Sequence, residues 1–344
     1  MFRRLVFGAV LLAFIVVIVG AYVRLQDAGL GCPDWPGCYG HWVGVPGEAH
    51  EIERATQAFP GRPVETRKAW KELFHRYLAG TLGVLIFAIM VVAWRQRRAL
   101  RQSPLLPTAI VALVALQATL GMWTVTLFLK PMIVTLHLLG GMATLGLLTW
   151  LALRQLALPQ GSTRTNRLPQ GSARVLLAAR AKRLRPWAVL GLAIVACQIA
   201  LGGWVAANYA ALACQDFPTC HGVWLPDMDF RHGFQFVREL GMTAAGAPLA
   251  FEALTAIHWT HRVGALLTFL YIGAFAGVLI STAGFTRHGA LLLLLLLIQV
   301  CLGVANVVSG LPLPVAVAHN GAAAAMLVML TVINFALFRN RTPE

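Results

Sequence analysis

Four histidines stand at matched places in the two halves of this chain: His75 and His137 in the first, His261 and His319 in the second. In each half, the first histidine opens one apolar segment and the second lies a similar depth inside another. Two imidazoles that face each other within a bundle of helices form the axial ligand set of a b-type haem. A lone histidine more often only hydrogen-bonds two helices together. Two matched pairs therefore favour haem ligation.

The match between the halves reproduces whole motifs. The corresponding stretches are 20–23 and 202–205, 32–38 and 214–220, 72–76 and 258–262, 117–121 and 299–303, and 135–137 and 317–319. Self-similarity of this kind indicates one structural unit used twice. The places where the copies differ then indicate what each half does.

Glu72 marks one such difference, because its counterpart in the second copy is His258. At helical spacing Glu72 and His75 lie on one face, so the carboxylate reaches toward a group bound at His75. A partly desolvated carboxylate can accept and relay protons, which makes Glu72 the candidate catalytic acid or base. The alternative is an ion pair with a basic residue at the same helix start, namely Lys68, Lys71 or Arg76.

Arg76 and Arg262 directly follow two of the four histidines. A guanidinium group at this position is a candidate partner for a haem propionate, since Arg binds carboxylates in a bidentate manner. Lipid headgroups or acidic residues of the neighbouring loops are the alternative partners, because long basic side chains extend toward the membrane surface.

Four of the six cysteines form two pairs with the same spacing, Cys32 with Cys38 and Cys214 with Cys220. On the oxidising side of a membrane this spacing favours two local disulfides, and zinc is a poorer interpretation because the pairs are far apart. Each bond either staples a loop or, if exposed and reducible, acts as a redox accessory. The latter remains open for Cys32–Cys38. The two other cysteines, Cys197 and Cys301, are expected to be inert packing residues.

The composition predicts an integral membrane protein, since 58% of the residues are hydrophobic, 12% are charged and the mean hydropathy is +0.71. Eight apolar segments are long enough to span a bilayer as helices. They lie near 5–24, 73–94, 106–127, 133–153, 187–207, 255–280, 289–309 and 315–338. We therefore predict an all-α fold of two tandem, pseudo-twofold-related four-helix bundles, 1–155 and 186–344, joined by a basic linker at 156–185.

Basic residues predict the orientation. The net charge of +15 does not indicate nucleic acid, because most of the 28 Lys and Arg residues lie on one side of the predicted helices, with almost none of the 13 acids. The positive side is cytoplasmic. Both termini and the linker are then expected in the cytoplasm, and the cysteine loops outside, in a bacterial inner membrane with lipid as a constant partner.

With these motifs in place, the chain resembles the haem A synthase family, membrane enzymes that convert haem O to haem A. The resemblance covers nearly all of the chain and rests on the duplicated eight-helix plan, the motif Glu72-x-x-His75-Arg76, the other three histidines and the cysteine pairs. It implies that the C8 methyl group of haem O is oxidised to a formyl group in successive steps, giving haem A for terminal oxidases.

The resemblance also implies a role for each histidine pair. His75 and His137 would ligate haem O or its product, whereas His261 and His319 would ligate a haem b cofactor. Glu72 would be essential for the oxidation. The expected partners are haem O, a membrane electron acceptor and the farnesyltransferase that makes haem O, and a homo-oligomer is left open. The rival interpretations are a di-haem b cytochrome that oxidises quinol, and a transporter.

Overall fold

The computed structural model describes residues 1–100, 102–157 and 172–339, and within them every regular element is helical. In chain order the helices are α1 (Phe2–Leu25), α2 (Ala49–Ala58), α3 (Thr66–Arg95), α4 (Arg97–Leu100), α5 (Leu105–Thr126), α6 (Pro131–Ala157), α7 (Ser172–Ala207), α8 (Phe230–Gly233), α9 (Phe251–Ile280), α10 (Thr286–Val308) and α11 (Leu313–Arg339). Eight of those described are long and apolar enough to cross a membrane: α1, α3, α5, α6, α7, α9, α10 and α11. The chain is therefore an all-α, multi-pass membrane protein, as its hydropathy predicts.

The helix neighbours follow one pattern in each half. In the first half, α1 and α5 each pack against both α3 and α6; in the second half, α7 and α10 each pack against both α9 and α11. The two halves meet where α1 packs on α11 and α6 packs on α7 and α11. In each half, the two helices that carry the histidines therefore share two neighbouring helices. These are α1 and α5 in the first half, and α7 and α10 in the second.

Close contacts join the halves near the ends of the helices that precede the cysteine loops. The Arg24 guanidinium at the end of α1 donates to the carbonyl oxygen of Ala206 in α7 over 2.6 Å, and it lies over the ring of Tyr209. Lys130, between α5 and α6, pairs with Glu239 in the loop before α9 at 2.8 Å. These contacts fix the relative position of the loops that cover the two histidine pairs.

The connection between the halves is shorter than the predicted linker. Helix α6 continues to Ala157 and α7 already begins at Ser172, so only 158–171 of the predicted segment lies outside the described residues. Helix α7 begins as early as Ser172 because its first residues are mainly Ala, Leu and Arg, which are strong helix formers. The basic charge that we assigned to a linker is therefore carried partly by an extension of a spanning helix.

Cys197 and Cys301 are exceptions to the expected packing. Both are free and exposed in the structure, on the outer faces of α7 and α10. The prediction that they fill gaps between helices was wrong, because an apolar residue of a spanning helix can equally well face lipid.

Candidate functional site

Each predicted histidine pair lies on two helices that share the same neighbours. His75 is on α3 and His137 on α6, while His261 is on α9 and His319 on α11. In each half these two helices pack against the same two neighbouring helices. The structure therefore places each predicted pair within one half, on helices that share their neighbours.

Each of the four imidazole rings lies against a glycine of a neighbouring helix. A Cβ atom added at Gly20 would lie 3.0 Å from Cε1 of His75, and one at Gly121 would lie 3.2 Å from Cε1 of His137. In the second half the corresponding distances are 3.2 Å from Gly202 to His261 and 3.1 Å from Gly303 to His319. These distances are shorter than ordinary carbon contacts, so a larger residue at any of the four positions would require the ring to shift by a few tenths of an ångström.

These four glycines form a functional set that we missed from sequence. Gly20, Gly121, Gly202 and Gly303 all fall inside the repeated motifs, but Gly140 and Gly264 lie nearer in sequence to the histidines and are the more obvious candidates to border a haem. Those two pack instead against side chains of Gln117 and Gln198. The sequence does contain a pattern that indicates these four glycines. Each lies at a matched repeat position in one of the four helices that neighbour the histidine helices.

The surroundings of the histidines fit an imidazole-ligated planar group. The Nδ1 atoms of His75, His137 and His319 are buried and have no hydrogen-bond partner within the described parts of the chain, although the residues as wholes remain partly accessible. A bare, buried imidazole nitrogen is costly in an apolar interior. Imidazole rings that pack against glycine and keep a buried Nδ1 without a partner are compatible with ligation of a haem iron.

Glu72 is buried and joins α3 to the first cysteine loop. Its Oε2 atom accepts a hydrogen bond from the backbone amide of Cys32 at 2.9 Å, and its Oε1 atom pairs with Arg76. The residue is only 4% exposed. The ion pair with Arg76, one of the three alternatives from sequence, is therefore present, and the carboxylate is held one helical turn from His75.

His258 makes the same kind of contact in the second half. Its Nδ1 atom accepts a hydrogen bond from the backbone amide of Cys214 at 3.2 Å, and its Nε2 atom lies 3.4 Å from Nε of Arg262. Glu72 and His258 thus share one structural task, which is to anchor a disulfide loop to a spanning helix. They differ in charge, since only the first half places a carboxylate beside its histidine.

Arg76 and Arg262 both point into the loops. Nη1 of Arg76 donates to the carbonyl oxygens of Asp34 and Gly37, at 2.8 and 2.5 Å. Arg262 donates to the carbonyl oxygens of Thr219 and Cys214, each at 2.8 Å. Contact with a propionate would require these bonds to be exchanged, so the propionate role stays a prediction.

Both predicted disulfides are present as local bonds, Cys32–Cys38 and Cys214–Cys220, which confirms the pairing inferred from spacing. All four cysteines are at most 2% exposed. A thiol partner could not reach buried sulfur atoms without opening the loop. The burial therefore favours the role of a staple for both bonds.

The two disulfide loops share one turn geometry. Asp34 accepts hydrogen bonds from the backbone amides of Tyr39 and Gly40, as Asp216 does from those of His221 and Gly222. The hydroxyl of Thr219 and these amides hold the pKa of the Asp216 carboxyl well below its usual range, because they stabilise the ionised form. The repeat therefore extends to the fold of the outer loops.

Comparison with known proteins shows the family to which this chain is related. Residues 3–331 match the family model described as a cytochrome oxidase assembly protein, COX15-CtaA. A curated protein named heme A synthase from Shewanella oneidensis is 41% identical over 324 residues, which is 94% of this chain and 93% of that protein. Proteins of the same name from Halalkalibacterium halodurans and a Chelativorans species are 27% and 26% identical, over 72% and 92% of this chain and 72% and 86% of their own lengths.

Proposed function

This chain belongs to the COX15-CtaA family of cytochrome oxidase assembly proteins, and on that premise we propose that it is a haem A synthase. The observation that carries the proposal is the duplicated set of two histidines, each resting on a glycine of a neighbouring helix. In our proposal the enzyme oxidises the C8 methyl group of haem O to a formyl group in successive steps. The product is haem A, which terminal oxidases use.

We assign the substrate to the first half, residues 1–155, and a haem b cofactor to the second half, residues 186–344. His75 and His137 would ligate the iron of haem O or haem A, and His261 and His319 would ligate the iron of haem b. When bound, haem b supplies a one-electron carrier inside the membrane. The assignment is supported by the carboxylate of Glu72, which has no acidic counterpart at position 258.

Glu72 is proposed to handle protons, because oxidation of a methyl group releases protons as well as electrons. A carboxylate has about four acceptor positions. The amides of Cys32 and Gly31 and the guanidinium of Arg76 contact the carboxylate, so about one acceptor position remains. Glu72 lies between His75 and the cysteine loop, and it can therefore pass a proton from the buried site toward the loop side of the membrane.

Arg76 and the Cys32 amide position that carboxylate. The guanidinium group is itself fixed by loop carbonyls, and the loop is closed by the Cys32–Cys38 bond. A general base must be held within hydrogen-bond reach of the proton that it accepts, so this network supplies orientation without taking part in the oxidation. In this account the disulfide is a structural support of the active site.

The proposed topology follows from charge. The ends of α3, α6 and α11 that lie away from the cysteine loops carry Arg95, Arg154 and Arg339. We infer that this side is cytoplasmic in a bacterial inner membrane and that the disulfide loops face outward. A membrane electron acceptor and the farnesyltransferase that supplies haem O would then meet the protein from within or beside the same membrane.

Pigment analysis of the purified protein tests the function. Haem extracted from wild-type protein and separated by chromatography with mass spectrometry should contain haem A or hydroxylated haem O beside haem B. Haem B alone would indicate a di-haem cytochrome instead, and protein free of haem would indicate a transporter. Either result would overturn the proposed function.

A further inference from the structure

The two halves differ in what touches their histidines. Nε2 of Gln198, on α7, lies 3.0 Å from Nδ1 of His261 and donates to the backbone carbonyl oxygen of the same residue at 3.0 Å. In the first half, Nδ1 of His75 is buried and has no such partner among the described residues. One glutamine side chain therefore contacts both the ring and the backbone of His261, whereas the equivalent ring in the other copy packs against Gly20 and has no partner for Nδ1 among the described residues.

A second difference makes room for this glutamine. A Cβ atom at Gly264, one turn after His261, would lie 2.4 Å from Oε1 of Gln198. At the matched positions of the first half the chain has Val16 in place of the glutamine and Leu78 in place of the glycine. The pair Gln198 and Gly264 is thus exchanged as a unit for two apolar side chains, which removes the polar contact and the space that the glutamine occupies.

The second histidine of each pair also differs between the halves, but at its other ring nitrogen. Nε2 of Gln299 lies 3.2 Å from Nε2 of His319. Its repeat counterpart, Gln117, packs against Gly140, where a Cβ atom would collide with its amide. The matched position in the second half is Ala322, which leaves no such space. Both histidines of the second half therefore have a glutamine contact, but His261 alone of the four has one at Nδ1, because the Nδ1 atoms of His75, His137 and His319 have no partner in the described structure.

We propose that Gln198, which packs against Gly264, is a positioning residue that orients the His261 imidazole for a permanently bound haem. In the first half Val16 and Leu78 stand at the two matched positions, and His75 is left without this partner at a site where the haem must be exchanged. This inference rests on the proposed function, in which the second half holds the cofactor and the first half the substrate. Partners of the non-ligating imidazole nitrogen orient metal-bound histidines and strengthen metal binding. A substrate site gains from weaker retention, because the product has to leave.

The glutamine amide suits either protonation state of the ring. When Nδ1 is bare, Nε2–H of Gln198 donates to it. When Nε2 of the ring ligates iron, Nδ1 carries the proton and requires an acceptor. Oε1 of Gln198 is buried and without a hydrogen-bond partner in the described residues, so an amide flip that exchanges Oε1 and Nε2 supplies that acceptor and gives up the bond to the His261 carbonyl oxygen. A hydrocarbon side chain at position 198 could do neither.

Two variants of the intact, haem-loaded protein test the proposal. Gln198→Leu removes the amide, and the double variant Gln198→Val with Gly264→Leu copies the packing of the first half. In both, the transfer of haem b from detergent-purified protein to apomyoglobin should be about 10- to 100-fold faster than in wild type, the range typical for loss of a partner of a ligating histidine. The electron paramagnetic resonance spectrum of ferric haem b should also change, because it reports the relative orientation of the two imidazole planes.

Gln198→Glu provides the conservative control. It retains an acceptor for Nδ1–H, so slow transfer of haem b and an ordered spectrum should return, while the reduction potential of haem b should fall because a carboxylate makes the imidazole a stronger donor. A residue that only fills space would not show this combination of rescue and shifted potential.

The reciprocal change should strengthen the first half. Val16→Gln with Leu78→Gly installs the glutamine and its space beside His75, and it should slow the release of the haem bound there without altering the transfer of haem b. Val16→Leu, which changes the same position without adding an amide, should leave both rates unchanged.

These variants distinguish a failure of the proposed function from a failure of the role of Gln198 alone. If His261→Ala does not remove haem b, the assignment of the cofactor fails, and with it the proposed function. If His261→Ala removes haem b but Gln198→Leu and the double variant release it at the wild-type rate with an unchanged spectrum, only the role of Gln198 is overturned.

Discussion

Glu72 accepts a hydrogen bond from the backbone amide of Cys32 at 2.9 Å, which ties the proposed catalytic carboxylate directly to a disulfide loop. Its counterpart His258 bonds to the amide of Cys214 in the same way. One structural contact is therefore conserved between the two copies while its chemistry changes. This separates the anchoring role of the position from the proton chemistry that we assign to Glu72 alone.

Glu72→Gln should separate these two roles by experiment. The amide oxygen can still accept from Cys32, so the protein should fold and retain haem b. Conversion of haem O should fall by a factor of about 10² to 10⁴, the usual loss when a general base is removed, and haem O or a hydroxylated intermediate should accumulate. Chromatography of extracted haems measures this directly.

Glu252→Gln is the matched control, because Glu252 is an exposed acid in the first turn of α9. It should leave conversion near the wild-type rate. Near-normal haem A production by Glu72→Gln would exclude the acid–base role and leave Glu72 as an anchor for the loop.

The glycines against the histidines give a second prediction. Gly20→Val would push against the His75 ring, since even a Cβ atom lies 3.0 Å from Cε1. The variant should lose most of the substrate-derived haem and keep haem b. Gly202→Val should show the reverse pattern through His261. Absorption spectra of the purified variants and their extracted haems provide the measurement.

Gly8→Val, in the same helix as Gly20, is the control, because a Cβ atom there meets nothing within 4 Å. It should bind both haems as wild type does. Equal loss of haem in the Gly8 and Gly20 variants would show that the effect comes from helix α1 in general and not from the ring contact.

The disulfides should be local and resistant to reductant in the folded protein. Peptide mapping without reduction should link Cys32 to Cys38 and Cys214 to Cys220, and thiol labelling after mild reductant should leave the buried pairs unmodified until the protein unfolds. Loss of one bond by paired Cys→Ser changes should cost about 2–3 kcal/mol of stability, as expected for a short closed loop. Peptides that join the two loops, or rapid labelling of the four loop cysteines in the native protein, would contradict the account; the free Cys197 and Cys301 are not counted.

Hydropathy and repetition were sufficient to predict much of the fold. Each spanning helix buries its backbone polar groups internally, so apolar length alone indicates it. The helix α2 was not foreseen, because its ten residues lie in a polar loop and are held by local contacts, such as the hydrogen bond from the Glu48 amide to the side chain of Glu51. Short helices of this kind leave little hydrophobic signal.

The sequence was sufficient to identify most residues of the candidate site, but not the contacts that these residues make with other helices. The histidines, Glu72 and the cysteine pairs stand out by type and by repeat position. The contact of Gly20 with His75 joins two different helices, and that of Gln198 with His261 does the same. Such partners depend on the rotation of each helix about its axis, which the nearly uniform apolar surface of a spanning helix does not specify.

Orientation in the membrane gives a further prediction. A fluorescent protein fused after residue 344 should be bright when expressed in a bacterium, and alkaline phosphatase fused there should be inactive, since the C-terminus is expected in the cytoplasm. Phosphatase inserted in the loop before α3 should be active instead. The reverse pattern would place the cysteine loops inside and remove the basis for stable disulfides there.

Ligand variants test the central claim, the division of labour between the halves, most directly. Haem should be extracted and identified from His75→Ala, His137→Ala, His261→Ala and His319→Ala proteins, with His288→Ala as a control for removal of an imidazole elsewhere in the membrane region. The account predicts that the first two variants lose haem O and haem A and keep haem b, that the next two lose haem b, and that the control loses neither. Equal loss of haem b from all four ligand variants would contradict it.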